Sequence, residues 1–200
     1  MPTNDDLLLD TLQPIARPRR LAEGEAVFRL GQPVQAVFRV ISGEVQLLRY
    51  GRDGRPVVLH RALAGDFFAE ASLDAARYHC SAVAMRPTEL VSYSAEGVRE
   101  LLRSDAGFAA AWIARLSSEL RRQRASVERL SLRSTSERLC HYLMTEGDPP
   151  GELQLHGTLS QLADVLGLSR ESLYRTLATL KRRGRLQQQD GCLRLLPPGD

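Results

Sequence analysis

The chain has 200 residues, room for one large domain or two small ones. With 43% hydrophobic and 26% charged residues it can bury a core, which excludes wholesale disorder, and no apolar run approaches the roughly 20 residues that span a bilayer. The net charge of +3 is too small to indicate nucleic acid by itself.

The opening stretch Met1 to Asp6 is acidic where a secretory signal is basic, which predicts a cytoplasmic protein with no membrane partner. Cys80, Cys140 and Cys192 are far apart and in no CxxC pair, so a disulfide framework is not expected. After a leucine-rich segment, Leu7 to Ile15, the composition turns to β. Gly24, Gly31, Gly43, Gly51, Gly54 and Gly65 punctuate the apolar runs Ala36–Ile41, Glu44–Leu48 and Val57–Leu59, and Ser81–Met85 continues the series. Short strands with glycine turns at near-regular intervals predict an antiparallel β-roll over residues 1–104, with Asp53-Gly54 as its best hairpin signal.

Near Ser94 the period changes. Ser94 caps a short helix carrying Val98, Leu101 and Leu102, and Asp105 caps a longer one, giving a helical segment over 105–133. Along it Ile113, Leu116, Leu120, Gln123, Val127 and Leu130 recur in alternating three- and four-residue steps, a coiled-coil seam with one polar interruption. Such a stripe can pack on its own domain; the helix's length and its arginine-rich other faces favour a homodimer seam. Ser134 and Glu137 form a capping box for the next helix, whose stripe is Leu139, Tyr142 and Leu143, and Gly147 to Gly151 is a loop.

The basic charge is local. Six arginines lie between Arg115 and Arg133 against Glu119 and Glu128, and five arginines with the only lysine, Lys181, lie between Arg170 and Arg185 against Glu171. The second cluster falls on the most informative stretch, residues 158–180. Thr158 and Gln161 form another capping box, Gly167 suits a tight turn and Ser169 caps a following helix. Ala163 is small where two helices cross, and Leu162, Val165, Leu173 and Leu177 supply a shared core. Helix, glycine turn and capped second helix make a helix-turn-helix.

On the second helix Leu173, Leu177 and Leu180 share one arc, while Arg170, Glu171, Tyr174 and Arg175 lie opposite, at the end of a recognition helix that reaches base edges. Arginine can bond guanine through two donors and glutamate can accept from cytosine. Glu171 and Arg175 are also an i,i+4 pair, and Thr158 and Ser169, at helix N-termini, suit phosphate oxygens. Leu186 to Leu195 reads as two strands around Asp190-Gly191, a wing, which completes a winged helix-turn-helix over 134–200. Arg185 and Arg194 either hold that wing to phosphates or serve solubility.

A glycine-punctuated β-roll, a dimer helix and a winged helix-turn-helix, in that order, resemble the CRP/FNR family of bacterial transcription regulators, over nearly the whole chain. The most specific pieces are Ser169-Arg170-Glu171 with Arg175, and Gly65-Asp66-Phe67-Phe68-Ala69-Glu70. The resemblance implies an α+β protein with a cyclic-nucleotide-binding-like sensor. It implies a homodimer that reads a palindromic TGTGA-like site through Arg170, Glu171 and Arg175, and that acts at promoters as an activator recruiting RNA polymerase or as a repressor blocking it. It also implies an effector pocket at Glu70, Cys80 and Ser81, with Gln123 and Arg124 near the place of the family's base contacts. Ala69, however, stands where the family's cassette has glycine, and Cys80 where it has a phosphate-neutralising arginine, a role a thiol cannot fill. These departures argue against cyclic AMP, and with Cys80 as the first cysteine the iron-sulfur branch does not fit either. The effector is therefore unidentified, or there is none.

Tyr78-His79-Cys80, with His60 on a neighbouring run, reads two ways: a haem, metal or thiol-redox site, or a buried thiol beside a surface histidine. Adjacent strand residues point to opposite faces, which favours the second, and no metal site is predicted. An enzyme is not expected, and no catalytic residue is assigned. The metal-dependent β-roll oxygenases need converging His and carboxylate ligands, and here His60, His79, His141 and His156 include no HxH pair. A nucleotide-binding regulatory subunit is the other alternative; it leaves the winged helix without a purpose.

Overall fold

The computed structural model describes residues 4–51, 53–155 and 157–197, so His156 lies outside the described residues. Contacts divide the chain into two compact units, Met1–Arg115 and Leu116–Asp200.

The first unit opens with helix α1 (Asn4–Leu12), which buries Leu8 and Leu12. Eight strands follow: β1 (Ala16–Leu21), β2 (Ala26–Phe28), β3 (Ala36–Ser42), β4 (Glu44–Tyr50), β5 (Pro56–Leu63), β6 (Phe67–Phe68), β7 (Ser81–Ala84) and β8 (Thr88–Ser94). They form two antiparallel sheets, β1-β8-β3-β6 and β2-β7-β4-β5. The two-residue period of a strand decides which core each side chain joins. On β3, Phe38 and Val40 join Phe28, Val45, Leu47 and Ala82 in one cluster drawn from both sheets, while Val37 between them joins the helices. Gly43 carries the β3–β4 turn at φ +97°; a Cβ there would lie 2.7 Å from Thr88 Cα, so only glycine fits. The Asp53-Gly54 turn links β4 to β5 as the sequence predicts, with Gly54 N–H donating to Gly51 O at 3.0 Å.

Both predicted caps are present. Ser94 Oγ accepts from Gly97 N at the start of α2 (Ala95–Ser104), and Asp105 Oδ1 accepts from Phe108 N at 2.9 Å at the start of α3 (Ala106–Ser131). Phe108, Ala111 and Trp112 of α3 pack with α1, α2, Phe67 and Tyr93 into the second cluster.

In the second unit the remainder of α3 meets α4 (Thr135–Glu146), which the Ser134–Glu137 capping box opens. Arg129 is not part of a solvated basic face. It is buried, lies 4.8 Å over the Tyr142 ring and reaches Glu146 at 3.5 Å. Strand β9 (Glu152–Gln154) follows, directly after the Gly147 to Gly151 loop, a strand for which the sequence carries no signal of its own. Then come α5 (Leu159–Val165), α6 (Arg170–Arg182), β10 (Leu186–Gln189) and β11 (Cys192–Leu195), with the strands ordered β10-β11-β9.

Candidate nucleic-acid interface

Local chemistry builds the helix-turn-helix. Thr158 Oγ1 accepts from Gln161 N at 3.2 Å, and Gln161 Oε1 accepts from Thr158 N at 2.8 Å, which closes the box that starts α5. Gly167, at φ +64°, turns the chain, and Ser169 Oγ accepts from Ser172 N at 3.1 Å to start α6. One core position differs from the expectation. Val165 is exposed, and Leu166 is buried in its place beside Leu162 and Ala163. Leu166 is the C-cap and keeps helical dihedrals, so its side chain falls four residues after Leu162, onto the same face.

Leu173, Leu177 and Leu180 of α6 are buried, with Thr176 beside them, while Arg170, Glu171, Tyr174 and Arg175 are exposed. Arg175 Nη1 stands 3.9 Å from Glu171 Oε1, with the carboxylate 88% exposed. So open a pair contributes little to folding, and both groups are available to a partner. Thr158 and Ser169 are exposed at the two helix N-termini. A second contact set was not legible in the sequence. Thr135 Oγ1 and Thr176 Oγ1 lie 2.7 Å apart and tie the start of α4 to the buried side of α6, and Lys181 Nζ donates to Gln188 Oε1 at 2.6 Å, joining α6 to the wing.

The wing turns at Asp190 (φ +48°) and Gly191 (φ +76°). Arg194, for which the sequence leaves open a phosphate contact or a role in solubility, does neither alone. Its guanidinium bonds both oxygens of Glu152 at 2.8 and 2.9 Å and fastens β11 to β9. Arg185 Nε donates to Leu196 O at 3.4 Å.

On α3 the residues Ile113, Leu116, Leu120, Val127 and Leu130 are all exposed, with Val127 at 69%. Gln123, the polar interruption, donates from Nε2 to Glu119 Oε1 at 2.7 Å, and Arg124 is exposed on the same helix.

In the β-roll, Ala69 is buried and sits at φ +69°, ψ +5°, the left-handed conformation that its glycine counterpart adopts freely. Ala69 holds this conformation at a cost of about 1 kcal/mol. Glu70 opens the short 3-10 turn that follows, and Ser81 Oγ accepts from Leu30 N at 3.0 Å. Cys80 is 1% exposed and joins the inter-sheet cluster; burial pushes its thiol above the usual range, with Arg49 acting in the opposite sense. His79 points the other way, to the exterior, with Nδ1 2.9 Å from Ser72 Oγ. No group of three metal-binding side chains occurs among the described residues. Arg49, whose Nε donates to His79 O at 2.8 Å, is a basic group beside the cassette that the sequence reading missed, because it comes from β4.

Comparison with known proteins agrees with this architecture. Residues 18–105 match the cyclic nucleotide-binding domain, and residues 137–198 the Crp-like helix-turn-helix domain. The transcriptional regulator LdrP of Thermus thermophilus is 30% identical over 173 residues, covering 83% of this chain and 85% of that protein. The cyclic AMP receptor protein of the same organism is 31% identical over 189 residues, covering 92% of this chain and 83% of that protein. FixK2 from Bradyrhizobium japonicum shares the fold with a TM-score of 0.65 at 23% identity, over 92% of this chain and 94% of that one. Fold and relatives together define a DNA-binding transcription regulator. The chain belongs to the CRP/FNR family.

Proposed function

We propose that this regulator works as a homodimer, joined along Ile113, Leu116, Leu120, Val127 and Leu130, and reads a palindromic TGTGA-like site. Arg170, Glu171 and Arg175 contact base edges, and Thr158 and Ser169 contact phosphates. The observation that carries this reading is the division of α6: a buried leucine arc on one side and, opposite it at the N-terminal end, two arginines and a glutamate exposed with no strong partner. Two-fold symmetry then requires half-sites about one helical turn apart.

The chain divides functionally into a sensor roll over 1–104, a dimer helix over 105–133 and a DNA-binding domain over 134–200. It works in the cytoplasm, recruiting or blocking RNA polymerase at promoters, and it performs no catalysis. The burial of Cys80 at the arginine position of the cassette supports an effector other than cyclic AMP, or none. Glu70, Cys80, Ser81, Gln123 and Arg124 are retained as the candidate effector residues.

The test is fluorescence anisotropy of the reduced, metal-free protein on a TGTGA-type palindrome and on scrambled duplex, titrated across salt. Selective binding that tracks the palindrome is expected. Equal affinity for both duplexes, unchanged by haem, metals, oxidant or nucleotides, refutes the assigned site.

A further inference from the structure

The edge strand β1 carries two arginines on the side of its sheet that faces the inter-sheet cluster. Strand alternation sends Arg17, Arg19 and Leu21 of β1 to one face, and register extends that face across the sheet. Arg17 pairs with Ser92, which pairs with Phe38; Arg19 pairs with Leu90, which pairs with Val40. Leu21, Leu90, Val40 and Phe38 all belong to the inter-sheet cluster, so the two arginines lie on that side of the sheet, at its edge, with Arg17 exposed and Arg19 partly buried. At that end the roll holds a cavity of about 360 Å³, lined by both arginines, by Gln32 and Gln35, and by an apolar floor that includes Val27, Phe28 and Phe38. Its volume lies within the range of about 300–1,000 Å³ usual for small-ligand pockets.

The electrostatics of the cavity are one-sided. None of its lining residues is acidic, and neither Arg17 nor Arg19 has a carboxylate partner among the described residues. Arg20, between Arg19 and Leu21 but on the opposite face, is paired with Glu89 at 2.9 Å. The Arg19 guanidinium lies 6.0 Å from the Phe38 ring centroid, held over the floor. Two guanidiniums without a carboxylate partner, open to solvent at the rim of an apolar surface, attract an anion from solution.

We propose that this cleft binds a small organic anion, a phosphate monoester or carboxylate, with its charged end between Arg17 and Arg19 and its apolar part on the Val27–Phe28–Phe38 floor. The site is separate from the cassette around Glu70 and Cys80, neither of which lines the cavity. The proposal concerns the roll alone and does not depend on the DNA target assigned above.

The experiment is isothermal titration calorimetry of the full chain, without DNA, against phenyl phosphate, inorganic phosphate and phenol at low salt. Phenyl phosphate is expected to bind one per chain, at least about tenfold more tightly than phenol. R17Q/R19Q should lose about tenfold or more, R17K/R19K less, and R20Q nothing, since Arg20 lies on the other face. An unchanged circular dichroism spectrum for each variant separates loss of site from loss of fold. The proposal is overturned if phenyl phosphate does not bind, if inorganic phosphate binds as tightly, or if R20Q weakens binding as much as R17Q/R19Q. Binding of an oligoglutamate peptide in the absence of phenyl phosphate binding also overturns it, making the basic strand a protein contact instead.

Discussion

Thr176→Val tests how the recognition helix is held. Thr176 is 7% exposed, and its Oγ1 donates to Ser172 O at 2.8 Å within α6, so its lone pair faces Thr135 Oγ1 at 2.7 Å and Thr135 donates across the gap. Valine keeps shape and β-branching, so packing and helix propensity change little. What disappears is one hydrogen bond, net about 1 kcal/mol, and a half-buried Thr135 hydroxyl loses its acceptor, which brings the expected loss to about 1–3 kcal/mol. Thr135→Val removes the same bond but leaves Thr176 its helical carbonyl, so its expected loss is about 1 kcal/mol. The double variant has no stranded hydroxyl and should be less destabilised than the two losses added, with a coupling of about 1 kcal/mol. Urea unfolding, with hydrogen exchange of the α6 amides to report this unit alone, measures all four proteins. If the single losses add to within about 0.3 kcal/mol, the hydroxyls are not coupled and the reasoning fails.

Glu171→Ala and Arg175→Ala should each weaken binding to the cognate site by about 1–3 kcal/mol and relax preference at one base position, as read by anisotropy on a panel of single-base variants. An equal loss on random duplex makes these residues merely electrostatic. Replacing Val127 and Leu130 together with glutamate should yield monomers in analytical ultracentrifugation and much weaker palindrome binding; a persisting dimer refutes the α3 seam. Burial raises the Cys80, Tyr93, Cys140 and Tyr142 acids above their usual values, so above about pH 8 the unfolded chain releases these protons first and stability falls as pH rises. Chemical unfolding at a series of pH values checks this, and a level midpoint through the thiol and phenol range contradicts it.

The parts of the fold that were legible in the sequence are those set by residues three or four apart. The Ser94, Asp105, Ser134, Thr158 and Ser169 caps all form where expected, because a cap needs only its own helix. The α6 leucine arc, its polar face and the Asp190-Gly191 turn are equally local. Strand β1 escaped notice because Arg17-Pro18-Arg19-Arg20 has no apolar alternation; its identity as a strand comes from pairing with β8, more than 60 residues away. The short β9 exists only because β11 returns beside it and Arg194 finds Glu152.

The sequence by itself thus determined the class of protein and the division of α6 into a leucine arc and a polar face, since helical periodicity and capping operate within one turn of chain. Only the tertiary structure decided which charged groups remain free to act. It buried Arg129 against Tyr142, committed Arg194 to Glu152, closed Cys80 into the core, and left Arg17 and Arg19 without a carboxylate partner at the edge of the roll. The physical reason is that the state of a charge depends on neighbours and burial. Those are supplied by segments distant in the chain, which no local pattern encodes.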